Sequence, residues 1–225
     1  SLPKARQALS MGIDRSKISV ILHREMTDAD SLMSDELFPQ GKASVISFDA
    51  QRGAKLLKEA AGDPKTLPKL ELVTFATDEN ALLSQFIQDQ LAKNLGLNVS
   101  ISMLEYATYR SQIELQSGAL YFRCWAADYA DPDTFFSVFL STSGNNYTSW
   151  KNARYDELVK GAAATPNGPE RVKMYKEALD ILLRKDVPIV PLYFDTLTYL
   201  LNDRVKNFVI SPLNYVFFRD IVIGP

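Results

Sequence analysis

The sequence predicts an α/β fold, a mixed and largely parallel sheet flanked by helices, and three observations carry that prediction. Alternating apolar and polar residues mark strands at Leu70–Ala76 and Leu97–Leu104, and an apolar, aromatic run marks a third at Ala119–Ala127. Amphipathic segments at Asn80–Asn94 and Tyr106–Gln116 separate them, the first ended by Gly96 and the second by Gly118. The βαβαβ order with short connections then implies parallel strands joined by right-handed crossovers. Open sheets of this kind bind ligands beyond the carboxyl ends of their strands. The third strand runs into Asp128, Asp131 and Asp133 around Pro132, so an acidic loop is expected at that position.

The rest of the chain fills in around this unit. Apolar residues at Ala5, Ala8, Leu9, Ile13, Ile18 and Ile21 suggest two short helices between Lys4 and Arg24, with Asp14 able to cap the second through the free amides of Ser16 or Lys17. Thr27–Ser47 loses the period and carries Pro39 and Gly41, which reads as a long loop of the kind that often binds. Asp49 caps an Ala50–Ala61 helix closed by Gly62. A short apolar helix is expected at Thr134–Leu140, a polar flexible stretch at Ser141–Ser149, and helices at Ala153–Ala164 and Glu170–Leu183. Val187–Phe194 is extended and edge-like because of Pro188 and Pro191, and the tail from Thr198 to Ile223 alternates with no helix to pack it.

Composition narrows the function classes. Hydrophobic content of 46% with 23% charged residues is ordinary for a globular domain and argues against disorder or a membrane span. A formal charge of -2 with Lys and Arg scattered along the chain predicts no broad basic face and no nucleic-acid partner. With Cys124 the sole cysteine, neither an intramolecular disulfide nor a multi-cysteine metal site can form. His23, the single histidine, sits beside Arg24 and Glu25 in a helical pattern and reads as a surface residue. The opening Ser1-Leu2-Pro3 reaches a helical pattern at once, as a cut would.

The acidic loop admits several readings. Three carboxylates suggest calcium, but the alternate acids, turn glycine and distal Glu of such loops are absent, and Pro132 stands at the turn. A hydrolase using Asp128 and Asp131 is conceivable, but no Ser-His or Cys-His partnership accompanies the acids. We therefore expect no catalytic residue, no metal and no cofactor. Asp133 is expected to N-cap the following helix. Asp128, flanked by Trp125 and Tyr129, is expected to be a partly desolvated carboxylate in want of a cation, either a ligand ammonium or an internal Lys or Arg.

Taken together, Trp125-Ala126-Ala127-Asp128-Tyr129-Ala130-Asp131-Pro132, Phe135, Asn145-Asn146-Tyr147, Tyr155-Asp156, Arg171, Tyr175 and Asp186-Val187-Pro188-Ile189-Val190-Pro191-Leu192 resemble the solute-binding proteins of peptide-type ABC importers. The opening Arg6-Gln7-Ala8-Leu9-Ser10 with Ile13-Asp14-Arg15, and Ala54-Lys55-Leu56-Leu57-Lys58-Glu59-Ala60, extend the resemblance over nearly the whole chain. Members are about twice this length, and the likeness is to their C-terminal half.

The resemblance implies a type II periplasmic-binding-protein-like lobe over residues 1–197, with residues 198–225 a tail that returns to a first, missing N-terminal lobe. It implies capture of oligopeptides or dipeptides between the lobes, hinge closure, docking on membrane permease subunits and a periplasmic or extracellular location. Asp128 matches the aspartate that holds the ligand ammonium, and Trp125 the tryptophan of a side-chain pocket. The full candidate ligand-binding set is Asp128, Trp125, Ala126, Ala127, Tyr129, Asn145, Tyr106 and Tyr109. Ala126 replaces a cysteine that some members pair in a disulfide. Arg123 lies two residues before Trp125 where some members place an arginine three before, so it is given no inherited role. Related proteins bind nickel complexes, heme or sugars on the same scaffold, which remains the alternative to peptides.

Overall fold

A computed structural model of the chain describes residues 2–42, 44–115, 120–211 and 213–224. Helix α1 (Pro3–Met11) starts on a proline, whose missing amide costs nothing there, and ends where the Gly12 amide donates to Ala8 and Leu9 carbonyls. A 3₁₀ turn at Arg15–Lys17 leads into α2 (Ile18–Leu22), so two short helices form as expected. Asp14 caps the turn chiefly through side chains: its carboxylate takes the Ser16 hydroxyl at 2.6 Å and the Lys17 ammonium at 3.3 Å.

Strand β1 (Thr27–Asp28) pairs antiparallel with residues 193–194. The loop after it is not a free binding element: Met33, Phe38 and Val45 are buried in the core, which the loss of helical period could not reveal. Helix α3 (Ala50–Ala61) has the expected bounds, with Asp49 accepting the Arg52 amide at 2.9 Å and Gly62 beyond its end. Strand β2 (Leu70–Phe75), helix α4 (Asp78–Leu95), strand β3 (Val99–Leu104) and helix α5 (Tyr106–Glu114) follow. Thr77 caps α4 through the Asn80 amide, and Gly96 closes it at φ 69°, a conformation that favours glycine. The stop assigned to Gly118 lies outside the described residues.

Strand β4 covers only Leu120–Tyr121, not the run to Ala127. Beyond Tyr121 the chain stays irregular, because alternation describes side-chain faces and does not supply a neighbour to complete the ladder. Helix α6 (Asp133–Phe136) continues as a 3₁₀ turn at Ser137–Phe139, and α7 (Ala153–Ala164) is capped by Asn152. Helix α8 (Pro169–Asp180) runs into a π turn at Ile181–Lys185. The short strands β5 (Tyr193–Phe194), β6 (Val205–Lys206) and β7 (Val222–Ile223) complete the chain.

The central sheet has the order β3-β2-β4 and is parallel throughout, with β2 and β3 in register from Leu70 opposite Val99 to Phe75 opposite Leu104. One core packs the first four helices on this sheet through Ile18, Leu57, Leu72, Leu83 and Leu91. A second core joins α6, α7, α8 and the buried loop, with Phe136 stacked on Tyr175 at a centroid distance of 4.3 Å.

The two cores are stitched by residues from the resemblance motifs. Arg6 Nε donates to the Asp186 carbonyl at 2.7 Å, and Gln7 Nε2 to the Arg184 carbonyl at 2.7 Å, satisfying acceptors left free at the end of the π turn. The Asp186 carboxylate takes the Trp150 indole N–H at 2.8 Å and the Asn152 amide at 2.9 Å. Buried Arg15 donates to the Pro191 carbonyl at 2.7 Å and to Ser10 Oγ at 3.0 Å. Burial lowers its pKa to about 10, opposed by nearby Asp28. In contrast, the β6–β7 tail has no core: Leu200 is fully exposed, and Tyr199, Tyr215, Phe217, Phe218 and Ile223 each exceed half exposure.

Candidate ligand cleft

Past β4, residues 122–128 run outward from the carboxyl end of the sheet and turn at the acidic loop. The Asp128 amide donates to the buried hydroxyl of Thr134 at 2.9 Å, which pins the turn to α6 and leaves the Asp128 side chain exposed. Trp125, Asp128, Tyr129, Thr134, Ser137, Val138, Leu140, Ser143 and Asn145 line one cleft of about 270 Å³. Four expected site residues, Trp125, Asp128, Tyr129 and Asn145, are thus brought together. Thr134, Ser137, Val138, Leu140 and Ser143 were missed; their signal is that they lie on the short helix and turns that directly follow the acidic loop.

The carboxylates of the loop are not equivalent. Asp131 makes a two-point pair with Arg171 of α8, at 2.7 Å and 2.8 Å, and its Oδ1 also accepts the Asp133 amide at 2.9 Å. Burial pushes the Asp131 carboxyl up, but the Arg171 hydrogen bonds and charge together with the Asp133 amide hold it below the ordinary carboxylate range. Arg171 is pinned in turn by the Ala162 carbonyl at 3.0 Å, the Tyr175 hydroxyl at 3.2 Å and the Asn167 side chain. Asp133 is not the N-cap; it lies inside α6, accepting the Tyr129 hydroxyl at 2.8 Å and the Tyr175 hydroxyl at 3.4 Å. The capping oxygen for its amide comes from Asp131.

The Asp128 carboxylate has no hydrogen-bond or ion-pair partner among the described residues, so the internal Lys or Arg considered from the sequence is not there. It is also exposed rather than partly desolvated. Beside it, the Trp125 indole nitrogen is buried with no hydrogen-bond partner. An open acceptor and an unmade donor therefore sit three residues apart on one wall of the cleft. Tyr129 is held there by its bond to Asp133.

The other expected residues fall elsewhere. Tyr109 is 1% exposed, its hydroxyl bonded to the Phe122 carbonyl and its ring packed with Phe75, so it is part of the core and outside the Asp128 cleft. Burial pushes its hydroxyl up to about 12. Tyr106 is exposed but packs edge-on against Phe75 at 5.5 Å, away from the Asp128 cleft, and Ala126 and Ala127 do not line it. Arg123 lies 4.7 Å over the Tyr147 ring, and the Cys124 thiol is free and exposed. The 141–149 stretch is tied rather than loose: Asn146 donates to the Phe139 and Trp150 carbonyls at 3.2 and 3.0 Å and accepts from the Thr148 hydroxyl at 2.7 Å. A second, shallower hollow of about 470 Å³ lies at the opposite end of the sheet, around Gln88, Gly96 and Val99. It has no aromatic lining, and its one charged lining residue, Asp89, is paired with Lys93 at 2.8 Å.

Residues 2–147 match the model described as "Bacterial extracellular solute-binding proteins, family 5 Middle". The chain belongs to that family. This family-5 chain is 25% identical to the dipeptide-binding protein DppE of Bacillus subtilis over 94% of its own length and 40% of the relative's. It is 28% identical to heme-binding protein A of Haemophilus influenzae over 98% of its length and 41% of that protein's. The structure of Listeria monocytogenes OppA bound to peptide superposes with a TM-score of 0.80 at 26% identity, covering 99% of this chain and 45% of that one. The family-5 chain therefore has a type II periplasmic-binding-protein-like fold and spans less than half the length of the curated relatives it matches.

Proposed function

We propose that the chain is one lobe of a longer, two-lobed solute-binding protein that captures peptides outside the cytoplasm and delivers them to the permease of an ABC importer. The observation that carries this reading is the unpartnered Asp128 carboxylate on the wall of the cleft. A carboxylate so placed recognises a ligand cation, and the ammonium of a peptide fits it. Charge-assisted hydrogen bonding fixes the ligand's register, while main-chain hydrogen bonds from an extended ligand supply affinity without reading its side chains.

The tail supports the two-lobe part of the proposal. A run of exposed Tyr, Phe, Leu and Ile on a two-stranded ribbon far exceeds scattered surface apolarity, and a missing first lobe would cover it. The same reading assigns no chemistry to the loop, because Asp131, the second acid a hydrolase would need, is committed to Arg171.

The test compares one short peptide with its N-acetylated form by calorimetry on the two-lobed protein. The free amine binds at least tenfold tighter if Asp128 holds an ammonium; equal affinities exclude it. Heme and deoxycholate, after heme-binding protein A at 28% identity and a probable deoxycholate-binding periplasmic protein of Escherichia coli at 26%, serve as the non-peptide arms.

A further inference from the structure

Lys and Arg are scattered along the whole sequence, but one stretch concentrates them on one flank of the fold. Arg52, Lys55 and Lys58 follow one another at three-residue steps on the exposed side of α3, and Lys65 and Lys69 continue the series in the segment before β2. Helix α1 runs antiparallel to α3: the Asp49 amide donates to the Met11 carbonyl at 3.0 Å, and Gly53 lies against Ala8 and Met11. That course carries exposed Lys4 toward the last turn of α3. None of these six cations has an ion-pair partner among the described residues, although pairing is common elsewhere on the surface. The acids within residues 50–69 are Glu59 and Asp63, and Asp63 is turned onto the Lys65 amide at 3.0 Å. Residues 25–36, by contrast, hold five acids and no Lys or Arg.

Like charges at three-residue helical spacing repel one another, and the one acid on the exposed side of α3, Glu59, stands four residues after Lys55 without forming an ion pair, so the row keeps a net positive charge. The row is also far from the cleft. Lys65 and Lys69 lead directly into Leu70, the first residue of β2, and Pro64 lies against Gly96, just before β3. The end of the row at Lys65 and Lys69 thus reaches the amino ends of the strands, while the cleft lies beyond their carboxyl ends. Anything bound to it leaves ligand access free.

We infer that this flank is a docking surface for a membrane rich in anionic phospholipid headgroups. A convex helix side with cations spread over several turns matches a flat array of negative charge, and each Lys or Arg near such a surface strengthens attachment about fivefold. The inference is independent of what the cleft holds, and its test uses no peptide.

The experiment is flotation of the full chain with vesicles of phosphatidylcholine alone or with one third phosphatidylglycerol, at low and at half-molar salt. The exposed apolar tail can adhere to either vesicle, so the readout is the phosphatidylglycerol-dependent gain in bound fraction. A gain that disappears at high salt and falls roughly a hundredfold in Arg52→Glu/Lys55→Glu/Lys58→Glu is expected. The charge-reversal control Lys173→Glu/Lys176→Glu, on exposed positions of α8, keeps it. Equal binding to both vesicle types, equal loss in the control, or a preference for a DNA duplex at the same salt overturns the assignment.

Discussion

The two halves of the acidic loop use the same side chain in opposite ways. Residues 131–133 are wired into α8 through Arg171 and Tyr175, whereas residues 125–129 make almost no side-chain commitment beyond the Tyr129–Asp133 bond. The rigid half holds the open half in place. An aspartate that is fully hydrogen-bonded supports the fold, and one three residues away, left unpaired, is free to meet something from outside. The contrast makes predictions about stability that differ sharply between Trp125 and Asp131.

The largest effect is expected at the rigid end. Arg171→Ala leaves Asp131 part-buried and uncompensated, and should cost about 2–3 kcal/mol in urea unfolding. Loss of less than about 0.5 kcal/mol would show that the pair is a surface ornament.

Acid should erase part of the same difference. The Asp131 carboxyl titrates lower in the folded state than in the unfolded chain, so its contribution is complete above the unfolded pKa near 4 and is lost as pH falls through the folded value. The stability gap between the native chain and Asp131→Asn should therefore close progressively on acidification below about pH 4. A gap that stays constant down to pH 2 would contradict the depressed pKa.

A smaller effect, of unusual sign, is expected at Trp125. Its indole N–H is buried and unbonded, so Trp125→Phe removes an unsatisfied donor while keeping an aromatic ring. Stability should change by less than about 1 kcal/mol, and can rise. A loss of 2 kcal/mol or more in thermal unfolding would mean that the donor has a partner in solution.

What could be read in advance follows the range of the forces involved. The bounds of α3 were legible because Asp49 and Gly62 act on amides and carbonyls a few residues away, and Asn152, which caps α7, acts over the same short range. The βαβαβ succession and its parallel strands were legible from the sequence, whereas the third strand stops at Tyr121 and the sheet order β3-β2-β4 was not read. Tyr109 was not: in an amphipathic helix its face depends on where β4 ends, and the Phe122 carbonyl that receives its hydroxyl is set by the sheet. The same holds for Asp131, whose partner lies 40 residues on, and for the loop carrying Met33 and Phe38, which becomes core only once α7 and α8 stand against it. Most of the cationic flank lies within residues 50–69 and was masked only because net charge was summed over the whole chain; folding adds Lys4 to it.

The smallest effect on folding should come from Asp128→Asn, within about 0.5 kcal/mol, since nothing in the chain depends on that carboxylate. Its effect on binding is the central test. Calorimetry on the two-lobed protein, crossing Asp128→Asn with N-acetylation of one peptide ligand, should show a loss of roughly 2–4 kcal/mol for the free amine and almost none for the acetylated peptide. Equal losses for both peptides, or no loss for either, would contradict the assignment of Asp128 to the ligand ammonium.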